Sequence, residues 1–156
     1  MTLSLGNPPT GGTTTAEDNS FTIRNELNAV QTITVWIADG SGNFSNRKLV
    51  KAIKVKYSDG TERAHGNQTG TSHSFKFDSG EKVKSMSIWT GLRVDRIKWV
   101  THNNRTFDHG GKDYTDGKGG TEYPQDVGNG ILLGFEGTRD ANELVSLGSS
   151  FKEASD

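Results

Sequence analysis

The sequence predicts an all-β fold, and three observations carry that expectation. Apolar residues recur at every second position in several short runs, helical spacing never persists for three turns, and Gly, Asn and Asp clusters punctuate the runs. Composition points the same way. Twenty glycines disfavour helices, while the many Val, Ile, Thr and aromatic residues suit a pleated surface. At 156 residues the chain suits one domain, spanning 1–156, that buries roughly two-thirds of its extended surface.

In chain order, Met1–Pro9 holds neither a basic start nor the apolar run of a secretory signal, so a cytoplasmic protein, or one exported without a cleaved signal, is expected. Thr10-Gly11-Gly12-Thr13 follows Pro8-Pro9 and reads either as a plain turn or as backbone left open to a ligand. Thr32–Ile37 is the first clear strand. In Val50–Tyr57 apolar and cationic residues alternate, which is expected to put Ile53, Val55 and Tyr57 on one face and Lys51, Lys54 and Lys56 mostly toward water. Ser58-Asp59-Gly60-Thr61 turns the chain.

Ser74–Trp89 reads as a hairpin, because two alternating runs flank Asp78-Ser79-Gly80, whose glycine accepts a positive φ. Val94–Thr101 is a strand, His102–Arg105 a turn and Thr106-Phe107 the start of its return. Asp108–Gly120 is too glycine-rich for a regular element and is expected as an exposed loop. Gly130–Gly137 and Val145–Gly148 form a second hairpin, whose glycine-hinged tip curls tightly enough to surround something small. Strand-turn-strand units recur about every 25 to 40 residues, a rhythm that permits three small sheets as readily as a two-sheet sandwich.

Charge and motifs narrow the function. A net charge of −1 offers no basic field for nucleic acid, and no run approaches the ~20 apolar residues of a transmembrane helix. Without cysteine there is no disulfide and no thiolate chemistry. His65, His73, His102 and His109 match no metal-ligand spacing and are expected in solvated loops, and Asp108–Gly120 lacks the calcium-loop pattern, so no cofactor or metal is expected. Asp140 and Glu143, three residues apart on one turn, would not flank a scissile bond as glycosidase carboxylates do, and no nucleophile motif is present, so no enzyme is expected. Trp36 and Trp99 are expected to fill the core, while Trp89 could serve either core or site.

Trp36 after an apolar strand, Val50–Gly60, His65-Gly66 and the Gly130–Gly137 strand resemble the jacalin-related lectins over nearly the whole chain. Thr121–Gly130 is especially similar to the jacalin-type module of aerolysin-like pore-forming proteins. The resemblance implies a β-prism I of three four-stranded antiparallel sheets with pseudo-threefold symmetry. It also implies a lectin that binds mono- or oligosaccharides and glycoproteins without catalysis, and that gains avidity as a homodimer or higher oligomer. Mannose-containing glycans are expected, because galactose-type relatives expose a free amino terminus at the first glycine, whereas residues 1 to 11 precede Gly12 here.

The family's sugar site lies at one end of the prism on three loops. Carried onto this chain, the first gives Gly11, Gly12 and Thr13, the second Gly91, Leu92 and Arg93, and the third Asp140, Ala141, Asn142 and Glu143. Mannose-type members resemble Gly-x-x-x-Asp in the third loop. Aligned on Gly137, Asp140 falls at the glycine and Leu144 at the aspartate; aligned on Leu147-Gly148, Ala141 and Val145 fall there instead. The loop is one residue longer than the pattern, so Asp140 or Glu143 would have to supply the carboxylate from a shifted position, with Asn142 offering donor and acceptor atoms.

Overall fold

The computed structural model describes residues 4–13, 19–111 and 119–154. One sheet holds β1 (Ser4–Gly6), β2 (Thr10–Gly11), β3 (Ser20–Arg24), β12 (Leu132–Arg139) and β13 (Leu144–Lys152). A second is built from β4 (Val30–Asp39), β5 (Lys48–Tyr57), β6 (Glu62–Gly66) and β7 (Thr71–Lys76). The third comprises β8 (Val83–Thr90), β9 (Val94–Thr101), β10 (Thr106–Gly110) and β11 (Thr121–Pro124).

Spatial orders are β6-β5-β4-β7, β10-β9-β8-β11 and β1-β13-β12-β3, with β2 also on β13 and every pairing antiparallel. β1 and β2 lie in line along one edge of β13, so this sheet too has four strand positions. The break between them falls at Pro8-Pro9, which have no N–H for the ladder.

Each sheet has a long central hairpin, β4–β5, β8–β9 or β12–β13, and the three repeat around a shared apolar core. Ile33, Val35, Ile53 and Val55 enter it from one sheet, Ile88, Ile97 and Trp99 from the next, and Phe135, Leu147 and Phe151 from the last, all fully buried. This is the three-sheet prism that the resemblance implies. Tyr57 crosses the core to donate its hydroxyl to the Leu133 carbonyl at 2.7 Å, and burial pushes its pKa up to about 12. Among the described residues no helix is long and apolar enough to cross a membrane.

Several expectations need correction. Ser74–Trp89 is not a hairpin: β7 pairs with β4 and β8 with β9 and β11, so the turn at 77–82 carries the chain from one sheet to the next. Alternation shows two strands joined by a turn but cannot say that they part company. Lys51 is buried, because it has the same parity as Ile53 and Val55 and follows them inward. Trp36 has the opposite parity to Ile33 and Val35; it lies on the outer face, with the Lys54 ammonium 5.8 Å from its ring centre. Trp99 does fill the core.

Residues 108–110 extend β10, with Asp108 holding Arg96 through two bonds of 2.7 Å, while residues 112–118 of the expected loop lie outside the described residues. Three histidines sit in strands rather than loops. His65 stacks on Phe21 at 4.7 Å between ring centres, and His73 on His109 at 3.7 Å; only His102 is in a turn. Among the described residues no group of three or more His, Asp or Glu is placed to hold a metal ion.

Candidate functional site

β4, β8 and β12 all run the same way, so their hairpin turns meet at one pole of the prism. The β8–β9 turn is closed by the Gly91 N–H donating to the Arg93 carbonyl at 3.0 Å, and the β12–β13 turn by the Asp140 N–H donating to Glu143 at 3.1 Å. After β2 the chain reaches the same place, where the Gly12 N–H donates to the Val145 carbonyl at 3.0 Å. A Cβ on Gly12 would land inside the van der Waals envelope of the Leu92 carbonyl oxygen, so only glycine lets the first and second loops touch. The three predicted segments are therefore neighbours in space. A fourth joins them: the β4–β5 connection, with a 3-10 turn at Gly42–Phe44, supplies Ser41, Phe44 and Arg47.

The polar groups of the third loop are bound mainly to the protein itself. Glu143 has no exposed surface. Its Oε1 accepts from the Ser41 N–H and from Lys51 Nζ, both at 3.0 Å, and its Oε2 from Ser41 Oγ at 2.7 Å and Arg93 Nε at 3.3 Å. A carboxylate offers about four lone-pair sites, and all four are taken. Burial raises the Glu143 pKa, but the bonds from Ser41 and Lys51 outweigh it and hold the carboxyl below its ordinary value. Lys51 also donates to the Asp39 carbonyl at 3.0 Å, so this buried cation is anchored at both strand and loop.

Asp140 is less fully committed. Its Oδ1 accepts from the Asn142 and Glu143 N–H groups at 2.8 and 2.9 Å, and among the described residues its Oδ2 accepts only from Arg93, at 3.3 Å. One lone-pair site remains on a side chain that is 28% exposed. Arg93 binds both carboxylates, donates to the Leu92 carbonyl at 2.7 Å and lies 4.6 Å from the centre of the Phe44 ring. Around this braced centre, Gly11, Thr13, Gly91, Ala141 and Asn142 are exposed, and Leu92 is 64% exposed, a bare apolar side chain between polar loops. Trp89 stands on the outer face of β8 with the Arg96 guanidinium 4.1 Å from its ring centre.

Sequence reasoning missed Lys51, Ser41 and Phe44 as supports, because the β4–β5 turn resembles ordinary surface turn chemistry. It also missed Asp95. Directly behind the second loop, this carboxylate is fully buried, and neither oxygen accepts a well-formed hydrogen bond from the described residues. Burial pushes its pKa up to about 6, opposed in part by Arg47 at 3.8 Å and by the nearby Gly91 amide, which does not reach full hydrogen-bond geometry. The shift of pairing register at Trp89/Thr90 upsets the parity that would have flagged it.

A family model, the jacalin-like lectin domain, matches residues 8–150. Among solved structures, the lamprey immune protein superposes with a TM-score of 0.81 at 27% identity, covering 98% of this chain and 45% of that one; the chain thus spans less than half of that protein. A mannose-binding jacalin-related lectin from Ananas comosus matches at a TM-score of 0.70 and 18% identity, covering 99% of each chain. Artocarpin, solved as a complex with mannotriose, matches at 0.70 and 18%, covering 95% of each. No curated protein sequence gives a significant match.

Proposed function

Since the chain belongs to the family of jacalin-like lectin domains, we propose that it binds carbohydrate at the pole formed by residues 11–13, 91–93 and 140–143. One observation carries this reading: three segments distant in sequence meet there, with exposed backbone and polar atoms beside the exposed Leu92. A pyranose has hydroxyls that donate and accept at once and a C–H face that seeks apolar cover. Asn142 offers donor and acceptor, Asp140 Oδ2 one acceptor site, the glycines close approach of backbone, and Leu92 the apolar wall. Glu143 and Arg93 act as positioning residues.

Mannose-containing glycans are the proposed ligands, supported by the mannotriose bound to artocarpin and by the mannose-binding Ananas comosus lectin. No catalysis is proposed, because both loop carboxylates grip Arg93 from the same side rather than flanking a bond. Each sugar hydrogen bond contributes only ~1 kcal/mol against competing water, so a single site should bind with a millimolar-to-micromolar dissociation constant. A homo-oligomer would add avidity.

Titration calorimetry with mannotriose tests this: weak saturable binding in the parent, lost on occluding the loop with Ala141→Trp, is expected. A second reading, a protein-interaction or self-assembly module without sugar binding, draws on Glu143 having no free acceptor. It predicts no glycan binding on an array, galactosides included, together with concentration-dependent association in sedimentation.

A further inference from the structure

A cavity of about 500 Å³ lies at the other pole, where β4, β8 and β12 begin. Strands of eight to ten residues, rising about 3.3 Å each, separate it from the loops above by roughly 25 Å, so it is a different site. Its volume falls within the range of small-molecule sites. Val30, Val83 and Leu132, all buried, and the partly buried Phe77 give it an apolar floor. The β3–β4 connection that forms part of its rim also carries Leu27, 94% exposed.

The charges at its mouth are not balanced. Asp78 and Glu81 line it, but Arg105 Nη1 holds both, at 3.4 and 2.6 Å, and Thr101 Oγ1 also donates to Glu81 at 2.6 Å. Lys76 and Lys82 line it as well, both exposed, and no carboxylate of the described residues lies within ion-pair distance of either. Glu81 is buried under Arg105 and Thr101, Asp78 stays 67% exposed, and with Lys76 and Lys82 the mouth carries three cations against two carboxylates. An apolar floor under two uncommitted cations matches a molecule with a hydrocarbon tail and a negative head. We propose that this cavity binds a medium-chain amphiphile with an anionic head group, its tail against Val30, Phe77, Val83 and Leu132 and its head between Lys76 and Lys82.

Dodecanoate and dodecyltrimethylammonium, titrated below their micellar concentrations by calorimetry, test the proposal. Tryptophan fluorescence gives a second readout, because Phe77 stacks on Trp99 at 6.3 Å and a buried tail should perturb that pair. Dodecanoate should bind ~10-fold or more tightly than the cationic probe, and the exposed charge reversal Lys76→Glu with Lys82→Glu should invert that order. Ala29→Trp, at an exposed rim position, should abolish binding of both while leaving the unfolding midpoint unchanged. Equal binding of both probes, no binding of either, or binding that survives Ala29→Trp would overturn it. So would a ligand-free dimer that Ala29→Trp dissociates, since a second copy would then be the occupant.

Discussion

Replacing Glu143 by Gln isolates the contribution of the buried charge network to the binding pole. The carboxamide keeps the shape of the side chain but removes the negative charge that faces Lys51 Nζ at 3.0 Å and Arg93 Nε at 3.3 Å. Removing one partner of a buried ion pair costs about 3–5 kcal/mol, because the other charge is left without compensation. Here Lys51 keeps the Asp39 carbonyl and Arg93 keeps Asp140, so the lower end, about 3 kcal/mol, is expected. At this chain length that corresponds to a fall of ~6–12 °C in Tm. Urea unfolding followed by the fluorescence of the fully buried Trp99 measures it. Adding Lys51→Met should restore more than about 1 kcal/mol, the coupling expected of direct contact.

The sign of the pH dependence provides a second check. Glu143 has its pKa lowered on folding, so its stabilisation is present above the unfolded value of about 4.3 and disappears as pH falls through the folded value. Parent and variant should therefore draw together progressively as pH falls below the unfolded value of about 4.3 and meet only once Glu143 is protonated in the folded state. An unchanged unfolding midpoint for Glu143→Gln at neutral pH would refute the network as the brace of this loop.

Asp95→Asn should act in the opposite direction. With the folded pKa raised from 3.8 to about 6, the parent loses stability as pH rises through that window, by about 3 kcal/mol at full ionisation, so the variant should be the more stable at pH 8 by about 1–3 kcal/mol and near parity only below the unfolded value, at about pH 3.5. Equal unfolding midpoints at the two pH values would count against it. Leu92→Ala removes the exposed apolar wall at the pole and should weaken glycan binding about 3- to 5-fold in calorimetry without changing the Tm. Gly12→Val drives a side chain into the Leu92 carbonyl; it should separate the first two loops and abolish glycan binding, while circular dichroism still reports an all-β fold.

What the sequence made legible follows from what alternation and turn chemistry can encode. Parity along β5 and β9 identifies most of the inward residues, and glycine-hinged turns mark the ends of the hairpins, so the central strands and the three loops were readable, whereas β13 is buried on both faces and the short strands β1, β2, β3, β6 and β11 carry too little pattern. Which sheet a strand joins is a long-range property, and β7 and β8 show how a local pattern reads as a hairpin when the partners lie elsewhere. The same limit hid the chemistry of Glu143. On its own turn it looks like a free carboxylate, and only the arrival of Lys51 and Ser41, 92 and 102 residues away, turns it into a buried anchor. Positive charge groups Lys51 with Lys54 and Lys56 toward water, although Lys51 shares the parity of Ile53 and Val55, and the buried counter-charge of Glu143 is what holds it inside.

The most direct test of the central claim is amide chemical-shift mapping by NMR during titration with mannotriose. Carbohydrate binding at the three-loop pole predicts saturable shifts at Gly12, Gly91, Leu92, Ala141 and Asn142, with the amides around Val30 and Val83 at the other end unmoved. Shifts confined to other residues, or none at saturating sugar, would contradict it.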